Sequence, residues 1–321
     1  MNDITLVLLH KFCRLFTPHE RSMLKALTEN PENHNGIYRG KDLTNIYTIE
    51  QIYERVHDGS FEDLYLGDYF TVHLTTDLYT RFTGATFEEG VTYYEMGGTV
   101  IARTWTETQD ETPQSGKVYA TKQVVTEDVD LMIAAFDYYY NTGKPALLTH
   151  HAVLIPRGAG FATTARMNAT NTAAGGYYGS DMHQITLPCY AKSLKAALEN
   201  HIVSHKTQLT TAVNASTPSM AGAGFMGAAS SVAMSDTELQ LMSEVQLFGT
   251  TVLSSSWYDV MIDNEKFTVF NFVNTDFYDH SNFWLRPVVS SEAFAMCAST
   301  GAATGNNASA SIGVRPIILF G

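Results

Sequence analysis

Apolar positions in this chain fall into short runs whose spacing changes from one segment to the next. Residues 4–16 are apolar at helical spacing, with His10, Lys11 and Arg14 interrupting, and the helical pattern continues to residue 29. Thr17, Pro18 and Glu20 make a TxxE capping box with proline in the first turn, which restarts the helix there. The polar turn at 31–36 closes this stretch, so residues 1–36 are expected to form a helical docking arm. From Ile37 the character changes. Ile49, Ile52, Tyr53 and Val56 recur at helical spacing, Asp58-Gly59-Ser60 is a turn, and 64–74 reads as a strand. Residues 77–124 are rich in Thr, Tyr and Val and punctuated by glycine, which predicts a β-rich insertion with an acidic tip at 107–115.

Residues 130–140 and 145–156 read as buried strands around the turn Asn141-Thr142-Gly143. A loop rich in small residues fills 157–186. The clearest helix is expected over 187–205, with Tyr190, Leu194, Ala197, Leu198 and Ile202 on one face. A second loop is expected over 215–231. Ser235-Asp236-Thr237-Glu238 looks like a capping box ahead of a helix over 239–248, which Gly249 would stop. Two main helices, many short strands and long connections make the expected class α+β, with residues 37–321 as one domain. No repeat recurs at periods of 20–50 residues.

The last 39 residues carry the sharpest pattern. Phe283-Trp284-Leu285-Arg286-Pro287 opens them and Gly313-Val314-Arg315-Pro316-Ile317-Ile318-Leu319-Phe320 closes them. Each end is an apolar strand signal with one arginine, and the two strands are expected to be neighbours. Trp284 and Arg286 share a strand face at i, i+2, so they and Arg315 are assigned to the frame. Residues in the loops between, of which only Glu292 is charged, are assigned to partner contact, because loops on a rigid scaffold carry recognition. The candidates are Ser290, Ser291, Glu292, Phe294, Ser299, Thr300, Thr304, Asn306, Asn307, Ser309 and Ser311.

Composition narrows the class. The chain has 321 residues, 45% hydrophobic, and only 17% are charged, so its surface must be rich in Thr, Ser, Asn, Gly and Tyr. A net charge of −13 with no basic run argues against a nucleic-acid partner, which would need a cationic face. Cys13, Cys189 and Cys297 are far apart and form no CxxC, so neither a disulfide framework nor a structural zinc site is expected. No transmembrane span or secretory signal is expected, since the first apolar run is short and carries charge.

Catalytic motifs are missing. His150-His151 would point to opposite faces of a strand, and no HExxH occurs. His201 and His205 stand at i, i+4 on the expected helix, where histidines stabilising the helix end are commoner than metal ligands. Gly175-Gly176-Tyr177-Tyr178-Gly179-Ser180-Asp181 lacks the lysine of a phosphate loop and reads as a tight turn. Gly179 and Asp181 are assigned structural roles there. Ser180, Asp181 and His183 are too close in sequence to make a triad, and no GxSxG elbow exists. No catalytic residue, metal or cofactor is therefore expected. Cys189 reads as a buried, inert thiol.

Several of these stretches together resemble one family. They are Leu66-Gly67-Asp68-Tyr69, Phe136-Asp137-Tyr138, Leu148-Thr149-His150-His151-Ala152-Val153, Ala165-Arg166-Met167-Asn168, the Gly175–Met182 loop, Leu241-Met242-Ser243-Glu244-Val245, Phe283-Trp284-Leu285-Arg286 and Gly313-Val314-Arg315-Pro316. From about residue 37 to the end they resemble a domain of unknown function that recurs in phages and prophages of gut Gram-positive bacteria. That family is similar to C-type-lectin-like folds, including the variable proteins of diversity-generating retroelements and, more distantly, formylglycine-generating enzymes. The resemblance implies C-terminal strands that return close to the N-terminal strand of the domain. It also implies a variable recognition face between Arg286 and Val314.

The calcium-lectin signatures are not matched, since Asn282-Phe283-Trp284 is not WND. The paired cysteines of the enzymes are not matched either. What the resemblance implies is a virion surface protein, assembled in the host cytoplasm. It would bind a bacterial cell-surface ligand or other virion proteins, as a homo-oligomer such as a trimer. A capsid decoration protein without a host ligand, and a metal-dependent or hydrolytic enzyme around His150, His151 and Asp181, are the alternatives.

Overall fold

The computed structural model describes residues 34–97, 101–104, 106, 112–158, 160–214, 228–254, 258, 262–272 and 281–321. The helical arm expected over 1–36 therefore lies outside the described residues except for His34, Asn35 and Gly36. So do the capping box at Thr17 and most of the acidic tip at 107–115. The architecture is α+β, as its sequence pattern implies.

Helix α1, Ile49–His57, begins where Thr48 offers a side-chain oxygen to the Gln51 N–H (3.2 Å), while the Gln51 side chain accepts from the Thr48 N–H (3.0 Å). It buries Ile52 and Val56. A knot follows it. The buried Asp68 carboxylate accepts from Arg39 Nε (3.0 Å) and from the Lys41 and Tyr65 N–H groups (both 2.9 Å), tying 39–41 to 65–68 just before the first strand.

Strand β1, Tyr69–Arg81, pairs antiparallel along its whole length with β4, Val118–Phe136. Phe70, Val72, Leu74, Thr76 and Leu78 face inward at period two, as a strand with one covered face requires. Both strands run unbroken across the expected edges of the 77–124 insertion. What projects beyond them is the hairpin β2 (Thr92–Met96) and β3 (Ile101–Thr104) over a small satellite core of Phe87 and Tyr93.

On the far side of β4 lies β5, Ala152–Pro156, shorter than the expected 145–156 strand. Then comes β12, Pro316–Phe320, and finally β8, Leu239–Leu241. β5 and β12 are buried along their whole length. Their unbroken apolar runs follow from coverage on both faces. The C-terminal strand thus sits between β5 and β8; it does not pair with β1, but its Phe320 ring lies 6.3 Å from the Phe70 ring of β1, so it returns close to the first strand. The two C-terminal arginine-bearing strands are not sheet neighbours. β9, Phe283–Val288, belongs to a separate sheet with β10 (Ala293–Cys297) and β11 (Ala303–Asn307), and touches the β12 segment through a Phe283–Gly313 bridge.

The expected helix over 187–205 is displaced and shortened. It opens at a π-turn, Met182–Thr186, where the Leu187 N–H reaches the Met182 carbonyl, and continues as α2, Leu187–Ala197. Glu199 and Asn200 then adopt positive φ (52° and 67°), which ends the helix. His201 falls in the connection and His205 opens strand β6, His205–Val213, so the two histidines never share a helix. β6 pairs with β7, Ala229–Thr237. That pairing takes up Ser235, Asp236 and Thr237 of the capping-box look-alike and part of the loop expected over 215–231, whose residues 215–227 lie outside the described residues. Local capping preference loses to cross-strand pairing here. The real cap is Ser243, whose hydroxyl accepts from the Gln246 N–H (3.1 Å) at the start of α3, Glu244–Phe248; Gly249 (φ 81°) stops it as expected. Among the described residues no helix is long and apolar enough to cross a membrane.

Candidate recognition surface

The C-terminal sheet is built from unequal strands. β9 and β10 are wholly buried, whereas β11 is an edge strand of small residues with partial exposure. The β10–β11 turn places Ser299 and exposed Thr300 at one end, where the Ser299 N–H donates to Asn282 Oδ1 (2.7 Å). At the other end lie Ser291, Glu292, Asn307 and Ser309. They are held together by the Ala308 N–H on the Glu292 carbonyl (2.8 Å), the Ala173 N–H on the Ser291 carbonyl (2.7 Å) and Ser309 on Asn171. Thr304 and Asn306 lie half-exposed along the edge strand, and Ser311 is exposed beside Thr164 (Oγ–Oγ1 2.8 Å).

Two expected contact residues are not on this surface. Ser290 is 1% exposed, and its hydroxyl accepts from the Glu292 N–H (3.2 Å) to close the β9–β10 turn. Phe294 is fully buried on the central strand, opposite Val288 and Asn306. The aromatic ring belongs to the core because β10 has a neighbour on each edge and cover on both faces.

The frame assigned to Trp284, Arg286 and Arg315 is present, and each is buried. Trp284 Nε1 donates to the Ala165 carbonyl (2.9 Å). Arg315 Nε donates to the Pro156 carbonyl (2.8 Å), and its guanidinium lies 5.2 Å from the Phe283 ring centroid. Arg286 enters a polar network that can be read atom by atom. Its Nη1 donates to Gln240 Oε1 (2.8 Å), so the Gln240 amide must donate, to Tyr139 Oη (3.1 Å) and His205 Nε2 (3.0 Å). Gln246 Oε1 accepts from the Ser243 N–H (2.8 Å), so its amide donates to Tyr139 Oη (2.7 Å) and Asp263 Oδ1 (3.0 Å). Asp263 also accepts from Thr207 (2.8 Å), from the Tyr139 hydroxyl and from Arg286 Nη2.

His205 Nε2 is thus an acceptor, which fixes a neutral ring, and burial pushes its pKa down to about 3. His151 is held the same way. Its Nε2 accepts the Tyr139 N–H (3.0 Å), its Nδ1 donates to the Thr149 carbonyl (3.0 Å), and burial lowers its pKa. Sequence reasoning found Arg286 but missed Tyr139, Gln240, Gln246 and Asp263, because a polar residue bound for the interior carries no periodic signal of its own.

Gly179 and Asp181 close the glycine-rich turn. At Gly176 (φ 62°) an added Cβ would sit 2.3 Å from the Thr210 carbonyl oxygen, and at Gly179 one would sit 3.0 Å from the Gly175 oxygen. Asp181 splits its carboxylate between Arg81 Nε (2.6 Å) and the Ala169 N–H (3.0 Å).

The histidines of the enzyme alternative meet Asp137. His150 Nδ1 meets Asp137 Oδ2 (2.7 Å), and the other Asp137 oxygen takes the His151 N–H (2.9 Å). Ser180 Oγ donates to the Tyr177 carbonyl (2.7 Å) and accepts from the His183 backbone (3.2 Å), not from a histidine ring. Glu50, Glu199 and His201 place ligand atoms within 4.8 Å of one another, a geometry able to hold a divalent cation; the His201 ring stacks on Tyr53 at 3.6 Å. The two thiols among the described residues are held largely protonated. Burial raises the Cys189 pKa and pushes that of Cys297 to about 12. An open groove of about 810 Å³ runs between α2 and the β7–β8 connection, lined by Tyr178, His183, Lys192 and the Lys195–Glu238 pair.

Comparison with protein-family models, with curated proteins and with solved structures gives no match to this chain.

Proposed function

We propose that this chain is a phage virion surface protein that acts by binding and not by catalysis. Its α+β domain would be of the C-type-lectin-like kind, displayed on the particle as a homo-oligomer. It would adhere to a bacterial cell-surface ligand through the exposed C-terminal rim. One observation carries the reading: an uncharged, partly exposed edge strand with its flanking turn residue (Thr300, Thr304, Asn306, Asn307) is fixed to a buried frame of Trp284, Arg286 and Arg315. Side chains on such a rim can vary while the frame keeps its shape, because loops and edges on a rigid scaffold carry recognition at little cost to folding. The phage assignment rests on the resemblance carried by the Trp-Leu-Arg and Gly-Val-Arg-Pro segments. The test is binding of the purified protein to host cells, native and with Thr300, Thr304, Asn306 and Asn307 replaced together by lysine. Loss of binding with an unchanged melting curve is expected; equal binding by the variant overturns the reading.

A further inference from the structure

A cleft of about 180 Å³ lies where the end of β1 meets residues 163–169 and the π-turn. Among its lining residues are Arg81, Arg166, Asp181, Thr163, Thr164 and Ser311. Two guanidiniums and one carboxylate make its rim cationic on a chain of net charge −13.

The two arginines are not equivalent. Asp181 already spends one oxygen on Arg81 and the other on the Ala169 N–H. Arg166, half-buried in the cleft wall, makes one side-chain hydrogen bond among the described residues, Nη1 to the Ala169 carbonyl at 3.5 Å. That is the outer limit of a hydrogen bond. In a chain with 33 acidic side chains and 20 basic ones, Arg166 is a half-buried guanidinium with no carboxylate at ion-pair distance among the described residues. Guanidinium presents a planar fork of donors that matches phosphate and carboxylate oxygens. The hydroxyls of Thr163, Thr164 and Ser311 line the same rim, with Thr164 and Ser311 bonded to each other (2.8 Å), so that one of that pair keeps a proton to donate.

We propose that this cleft is a binding site for one compact oxyanion, a phosphate or carboxylate group carried on a larger ligand, with Arg166 as its principal contact. Ser311 joins the cleft to the C-terminal rim, so the anion would lie beside the recognition surface. The inference needs only the cleft, and its failure would leave rim-mediated cell binding untouched.

Inorganic phosphate and glucuronate are the probes, each titrated into the full-length protein and followed by amide chemical shifts. Saturable shifts confined to residues 81, 163–169, 181 and 311 are expected with at least one of them, with affinity on the order of millimolar and falling as sodium chloride rises. Whichever anion binds more tightly assigns the class. Arg166→Gln is expected to weaken that binding about tenfold or more with an unchanged melting temperature. Arg166→Lys, which keeps charge but loses the fork, should fall between. Absence of a saturable response to both anions in the native protein overturns the proposal, as does unchanged affinity in Arg166→Gln. Should Arg166→Gln fail to fold, the Arg166→Lys titration decides alone, with native affinity counting against it.

Discussion

Arg286 and Asp263 form an ion pair from which water is excluded, their side chains 3% and 0% exposed. Further protein groups bond to that pair: Gln240 on the guanidinium, and Tyr139, Thr207 and Gln246 on the carboxylate. Two charges taken out of water are tolerated only when attraction and added hydrogen bonds offset desolvation. Removing one partner strands the other. Arg286→Met is therefore expected to cost roughly 3–5 kcal/mol, read as a shift in the urea midpoint. A loss below about 1 kcal/mol, the scale of an exposed pair, would show that the network is open to solvent.

Acid should weaken the fold through its neutral histidines. An unfolded histidine titrates near 6.5, whereas burial holds folded His205 to about 3 and folded His183 to about 4. Below pH 6.5 the unfolded chain takes up protons that these folded rings refuse. Stability from this source is thus complete above about 6.5 and falls as pH drops toward 4 and 3, by about 1.4 kcal/mol per pH unit for each ring. His183→Gln removes one such ring outside the buried network. Its stability should change less between pH 7 and pH 5 than that of the native protein. Identical pH dependence of the two would contradict the neutral burial of His183.

The legible part of this fold was its apolar periodicity, which located α1, the continuous runs of β5 and β12, and the buried pair Trp284 and Arg286. Pairing partners were not legible. Nothing local says that β12 slots between β5 and β8, or that β9 leaves the main sheet. Ser235–Glu238 carries a genuine capping pattern, yet His205 pairs with Thr237 and holds it as strand. Serine and phenylalanine at 290 and 294 looked like loop residues because their neighbours are small. Their burial comes from a central strand that only the folded chain creates.

Glu244 offers a sharper case of a side chain serving backbone. Its buried carboxylate accepts from the N–H groups of Val252, Leu253 and Ser254, each at 2.9 Å, and from the Ser254 hydroxyl at 2.7 Å. It also sits in the first turn of α3, where negative charge is favoured. Glu244→Ala leaves those donors without partners and is expected to cost about 1–3 kcal/mol. Hydrogen exchange at residues 252–254 should accelerate far more than at β12. Uniform acceleration across the chain would instead mark a global loss.

Phe294 separates the core from the rim. Phe294→Ala is expected to destabilise by about 3–5 kcal/mol, because the ring is fully buried on β10. Below its melting temperature this variant should still bind host cells if the rim makes the contact. Thr300→Lys should do the reverse, keeping stability within about 0.5 kcal/mol while weakening binding. Exchange of those two outcomes would place the contact in the core strand and not on its exposed neighbour.

Cys297 reports whether that strand opens. Its thiol is buried on β10 and its pKa is pushed to about 12 by burial. The reactive thiolate is therefore on the order of one part in ten thousand at pH 8. Cys189 is half-buried, with its thiol donating to the Ile185 carbonyl at 3.0 Å. Maleimide treatment of the native protein at pH 8, mapped by mass spectrometry, should leave Cys297 unmodified and label Cys189 slowly. Both should react at once in denaturant. Labelling of native Cys297 as fast as Cys189 would show that β10 leaves the sheet on the timescale of the reaction. A rim held by such a strand could not keep its shape while its surface residues vary.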